Sequence, residues 1–99
     1  MAEIYELTAQ DTKTLQERCL KLCEESGEVA QAVLSATGAP GSAYKKLTLA
    51  DVREEALDTV IVAMAIFAQA SESREAFDTE FSRLLDLKVS KWIKTLEAD

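Results

Sequence analysis

Glu24, Glu25 and Glu28 sit within five residues of one another, and at about 100° per residue of helix they fall within a ~100° arc. Farther along, Glu55 and Asp58 stand one helical turn apart, with Asp51 a turn before Glu55. Packed opposite each other, the two acidic faces repel, raise one another's pKa and cost stability unless a cation stands between them. The chain has no histidine, so an all-oxygen shell here favours a hard divalent ion, Mg²⁺ or Mn²⁺. Mg²⁺ held by a few carboxylates completes its shell with water and substrate phosphates, which points to phosphate chemistry. A blander reading stays open: the trio is a solvated polar face, with Lys21 three and four residues ahead of Glu24 and Glu25 as its counter-charge. That reading is weaker at Asp58, which stands between Leu57 and the run Val60-Ile61-Val62, because acids are rarely buried without a partner. Gly27 also argues against it. A glycine inside a helix costs roughly 0.8 to 1 kcal/mol relative to alanine and generally has a packing or functional reason, such as the close approach of a helix or a phosphate.

These acids must be positioned by helices. Leu15, Cys19, Leu22, Val29 and Val33 recur at intervals of three and four, with Cys23, Ala30 and Leu34 alongside, which predicts an amphipathic helix over about 9–36. Thr8 with Asp11 resembles a capping box at its start, and Glu24, Glu25 and Glu28 lie on the side away from the Leu15/Leu22/Val29 stripe. Thr37-Gly38-Ala39-Pro40-Gly41-Ser42 holds two of the three glycines and the only proline, so the chain turns there. Thr48 and Asp51 cap a second helix over about 49–71, apolar on every side beyond Asp58 and therefore expected at the centre of a bundle. Its β-branched Val60, Ile61 and Val62 also suit a strand; length and caps favour helix. A third helix, about 74–97, places Phe77, Phe81, Leu84, Leu85, Trp92, Ile93 and Leu96 on its inner side and Lys88, Lys91 and Lys94 towards its end. The expected fold is all-α, a single domain over residues 1–99 with three long helices. So few helices leave the apolar second one hard to cover, and homo-oligomerisation is the natural completion of the core.

Composition narrows the class. Ninety-nine residues that are 47% hydrophobic, with three glycines and one proline, are too apolar for disorder and too poor in turn residues for a many-stranded β fold. Eleven basic against eighteen acidic residues give a net charge of −7, which disfavours nucleic acid and anionic membrane surfaces as partners. No apolar run approaches the roughly 20 residues of a membrane helix, and the first residues lack a basic segment followed by an apolar one, so a cytoplasmic location is expected. Cys19 and Cys23 are spaced i, i+4 but have no second cysteine pair to complete a metal site, so they read as small core residues.

Glu24-Glu25-Ser26-Gly27-Glu28, followed after 26 residues by Glu55-Ala56-Leu57-Asp58, resembles the E-E-x-x-E … E-x-x-D pattern of the all-α nucleoside triphosphate pyrophosphohydrolases, the MazG-like superfamily. The flanking segments 20–33 and 51–58 are similar to that family's helices, and the resemblance covers most of the chain. It implies a helical bundle that forms dimers or tetramers, binds Mg²⁺ with Mn²⁺ as a substitute, and hydrolyses a nucleoside or deoxynucleoside triphosphate to monophosphate and pyrophosphate. Position by position, Glu25, Glu28, Glu55 and Asp58 look like the metal ligands. Glu24 looks like the catalytic carboxylate that orients or deprotonates the attacking water, or holds a further metal. The family's usual additional helix before the first motif is absent here or reduced to the Ile4-Tyr5 segment, so the residues that clasp the base do not carry over. The chain is most similar to the compact single-domain branch, with members in phages and archaea; for a phage protein the location would be the host cytoplasm. A purine deoxynucleotide such as dGTP is a candidate substrate.

Lys45 or Lys46 after the glycine-rich turn, and Lys88 and Lys91 on the last helix, are the cations available to a phosphate tail, although lysines at helix ends are more often solvated or satisfy the dipole. Tyr44 or Trp92 can stack on a base, but a lone aromatic on an apolar helix face is more often core. The Gly38–Gly41 turn lacks the Lys-Ser/Thr ending of a P-loop. Two other functions stay open: a non-catalytic acidic helical module that binds a basic protein, and the same fold acting on a modified nucleotide.

Overall fold

The computed structural model describes residues 2–98. Among them the chain forms α1 (Ala2–Gln10), α2 (Leu15–Ala36), α3 (Leu49–Gln69) and α4 (Arg74–Ala98), with a short 3-10 turn at Ala43–Lys45 and no strand. The all-helical expectation holds, but there are four helices rather than three. The first expected helix divides because its start signal lies later in the chain. Thr14 is the true N-cap of α2, its hydroxyl accepting from the Glu17 amide at 3.1 Å while the Glu17 carboxylate accepts from the Thr14 amide at 2.9 Å. Thr8 instead lies inside α1, where its hydroxyl donates to the Ile4 carbonyl at 2.7 Å. The front segment is thus a nine-residue helix, more than the Ile4-Tyr5 remnant expected.

The turn after α2 closes as its glycines predict. Gly38 adopts φ 75°, donating to the Ser35 carbonyl while Ala39 donates to the Leu34 carbonyl, a Schellman ending that needs a left-handed residue at that point. The buried Ser35 hydroxyl then accepts the Leu47 amide at 3.0 Å, and Thr48 with Asp51 forms the expected capping box of α3. At the opposite end of the pair, Arg18 Nε donates to Gln69 Oε1 at 2.7 Å, so α2 and α3 run antiparallel. Val60, Ile61 and Val62 lie well inside α3.

The α2–α3 seam is the most extensive interface; α1 packs on α3, and α4 touches only α1 and α3. The densest packing is aromatic. Phe77 is fully buried, with its ring centroid 5.6 Å from both Tyr5 and Phe67 and 6.1 Å from Phe81, and Met64 and Ala68 close the cluster.

Several sequence expectations about burial change. On α2 the buried residues are Arg18, Glu25, Ala32 and Ser35, so the helix is rotated relative to the predicted stripe. Leu22 and Val29 are half-buried at its margin, whereas Leu15, Ala30, Val33 and Leu34 are exposed. Cys19 and Cys23 are exposed free thiols rather than core residues. Arg18 is held inward by its hydrogen bond to Gln69, whereas Glu25 faces inward against the acids of the same seam at an electrostatic cost. On α3, Leu57, Val60 and Ile61 are about half exposed, so this helix is covered on one side only. On α4, Phe77, Phe81 and Leu84 face inward as predicted, but every residue from Leu85 to Ala98 is exposed, Trp92, Ile93 and Leu96 included, because the helix outruns the elements that could cover it. Tyr44 is exposed as well. The molecule is correspondingly extended, with a radius of gyration of 16.5 Å against about 13 Å for a compact chain of 100 residues.

Because Phe77 links α1, α3 and α4, Phe77→Ala is expected to lower the unfolding free energy by about 3 to 5 kcal/mol, measured by urea denaturation. A loss under about 1 kcal/mol, the range of ordinary surface changes, would show that the aromatic cluster does not hold these helices together.

Candidate functional site

The polar stripe of α2 meets α3 at its acids. Glu25 and Glu28 lie one turn apart on α2, Glu55 comes from α3, and one carboxylate oxygen of each lies within 4.8 Å of the other two. Glu25 is only 7% exposed, while Glu28 and Glu55 are half-buried. One oxygen of Glu25 and one of Glu55, both Oε2, are buried without a hydrogen-bond partner. Buried acceptors normally find donors, and an unmet one costs at least about 1 to 3 kcal/mol, so these oxygens mark a place where a cationic partner would relieve a cost.

The electrostatics agree with the geometry. The Glu28 carboxyl is held above its ordinary range chiefly by the neighbouring Glu55 carboxyl, with desolvation adding to the rise and the Glu25 side chain opposing it. Lys21 reaches the cluster from one turn ahead, its Nζ 3.2 Å from Glu25 Oε1 and 3.3 Å from Glu24 Oε1. Both acids raise the ammonium's pKa, the Glu25 hydrogen bond most.

The trio suits a hard ion. Oxygens sharing one Mg²⁺ at 2.0–2.1 Å lie no more than about 4.2 Å apart, so small side-chain rotations bring this set to bonding distance. Three carboxylates and two unmet buried oxygens have the charge and donor type such an ion takes.

The other sequence-derived positions fall around this trio. Glu24 is exposed and turned to Lys21, and Asp58 is exposed one turn beyond Glu55, outside the convergent group. Lys45 Nζ donates to Gln31 Oε1 at 2.9 Å, which fixes it near α2 one turn past Glu28. Lys88 and Lys91 lie on the uncovered part of α4, which makes no contact with α2. Gly27 has open space around it, with nothing within 4 Å of where a Cβ would be, so no helix of the same chain accounts for it. Sequence reasoning did not anticipate Gln31 as the anchor of Lys45 or Arg18 as a buried residue. The signal for Arg18 was the seven-residue spacing of Arg18, Glu25 and Ala32, which places all three on one face.

Comparison with family models, with curated proteins and with solved structures finds no match to this chain.

The raised Glu28 carboxyl makes metal-free stability depend on pH. For an acid whose folded pKa lies above its ordinary value, here 4.5, the stabilising contribution is fully present below that value and is lost as pH rises through the raised one. Glu28→Gln cannot ionise and escapes this loss. In EDTA its melting temperature is expected to gain on wild type between pH 4.5 and neutrality, followed by circular dichroism; a gap that stays constant would rule out the Glu28–Glu55 repulsion.

Proposed function

We propose that this chain is a Mg²⁺-dependent nucleoside or deoxynucleoside triphosphate pyrophosphohydrolase of the MazG-like kind, releasing monophosphate and pyrophosphate. The reading rests on one observation above all: Glu25, Glu28 and Glu55, three positions of the E-E-x-x-E … E-x-x-D pattern, converge across the α2–α3 seam with two buried oxygens unmet. Mg²⁺, or Mn²⁺ in its place, would supply neutralisation of the triphosphate and a lowered pKa for the attacking water. In this reading Glu25, Glu28 and Glu55 hold the ion, and Asp58 adds a carboxylate from the next turn of α3. Glu24, on the solvent side of the same α2 face, orients the water and accepts its proton.

Lys45 is the phosphate-binding cation that this reading favours within one chain, because Gln31 already holds its ammonium a turn from Glu28. Lys88 and Lys91 would serve only a site formed with another subunit. Such an assembly, a homodimer or homotetramer, is supported by the uncovered Leu57, Val60 and Ile61 of α3 and Trp92, Ile93 and Leu96 of α4, since exposed apolar surface on this scale marks association. The substrate is a small nucleotide, with a purine deoxynucleotide such as dGTP as the first candidate. Nucleic acid is disfavoured by the charge of −7, and no described helix is long and apolar enough to cross a membrane.

The test is release of both products from the four common ribonucleoside and four deoxyribonucleoside triphosphates with Mg²⁺, against an EDTA control. Metal-dependent release is expected, and Glu28→Gln or Asp58→Asn should lower it at least about 100-fold, the upper range for residues that merely support metal ligands, with the helical spectrum unchanged. Near-wild-type turnover in either variant would remove that residue from the ligand set. No release by folded protein in saturating metal would favour an acidic interaction module or a modified-nucleotide substrate.

A further inference from the structure

Lys21 is the basic side chain that reaches the acidic trio among the described residues, through Glu25. It does so on the buried side of the cluster: the Glu25 side chain is 9% exposed, and its second oxygen is buried without a partner. Lys21 itself is 48% exposed and rooted one turn away on the same helix, so its ammonium can leave for water by rotation about its own side-chain bonds. An ordinary exposed i, i+4 pair contributes little. Here the acceptor is buried beside two further carboxylates, and a single monovalent charge faces three negative groups.

We propose that the Lys21 ammonium is the resident counter-cation of the metal-free cluster and competes with a divalent ion for Glu25, so that metal binding displaces it. This rests on the reading of the trio as a metal site. The displaced ammonium stays within one helical turn of Glu25. Lys21 is therefore a positioning residue: in the metal-free protein it holds Glu25 and Glu24 in place while partly neutralising them, and it sets how strongly the empty cluster attracts a cation.

The experiment is calorimetric titration of the full chain with Mn²⁺, without nucleotide, for wild type, Lys21→Met, Lys21→Gln and Lys21→Arg, alongside melting temperatures in EDTA and in Mn²⁺. Removing the charge should tighten Mn²⁺ binding about fivefold, the upper end of the worth of a partly exposed ion pair. It should also lower the melting temperature in EDTA and enlarge the rise that Mn²⁺ produces. Lys21→Arg, which keeps the charge, should stay close to wild type. Unchanged or weaker Mn²⁺ binding in both neutral variants, with wild type still binding, would overturn the competition and leave the metal site standing. Absence of Mn²⁺ binding in wild type and all variants, each with an intact helical spectrum, would overturn the metal site and the competition together.

Discussion

Mutual repulsion among Glu25, Glu28 and Glu55 sits in the middle of the α2–α3 seam, and the bonds at both ends of that seam hold the helices together against it. At one end the Ser35 hydroxyl takes the Leu47 amide; at the other the Arg18 guanidinium holds Gln69, whose own amide donates to the Lys13 carbonyl. The pair is thus fastened at its ends and strained at its centre. Arg18 shares in the cost, since its buried Nη2 has no hydrogen-bond partner and Asp11 approaches it only to 3.9 Å. A well-packed apolar stripe would stabilise the same hairpin more cheaply. Polar residues kept on an inward face at a net cost are the mark of a surface arranged for something other than stability.

How far the sequence disclosed this varies with the kind of signal. Capping boxes are local, and Thr48 with Asp51 was legible at once. Thr14-Leu15-Gln16-Glu17 carries the preferred Thr and Glu and outcompetes the Thr8–Asp11 pair that the apolar period had favoured. The acidic positions were legible from spacing, and Glu25, Glu28 and Glu55 do converge. What spacing cannot carry is helix rotation. The Leu15/Leu22/Val29 stripe is the apolar optimum for α2 taken alone, but the hairpin settles with Arg18, Glu25 and Ala32 inward, Arg18 bonded to Gln69 near the end of α3, and leaves Cys19 and Cys23 in solvent. The same limit hides the fate of α4, where the expected inner stripe holds at Phe77, Phe81 and Leu84 but fails at Leu85, Trp92, Ile93 and Leu96, which are exposed because no described element reaches far enough to cover them.

The uncovered surfaces follow from that mismatch in length. α4 has 25 residues and spans about 37 Å at 1.5 Å per residue, while the aromatic cluster anchors only its first turns. Residues beyond Leu85 therefore keep apolar side chains in water, as do Leu57, Val60 and Ile61 on the outer side of α3. The cost of that exposure and the cost of the crowded carboxylates have the same form: each is a surface left without a full complement among the described residues, apolar in the first case and anionic in the second.

The graded burial of the acids gives the cationic case a direction. Glu25 is buried, Glu28 and Glu55 are half-buried, and Glu24 and Asp58 are exposed. Charge is therefore most confined at Glu25 and progressively better solvated outward. A cation at this boundary has carboxylates on its protein side, where desolvation strengthens their attraction. On its other side it faces water. That asymmetry separates a site that can exchange part of its shell from a closed structural one. Of the two acids that Lys21 approaches, Glu25 lies at the confined end of this gradient and Glu24 at its solvated end.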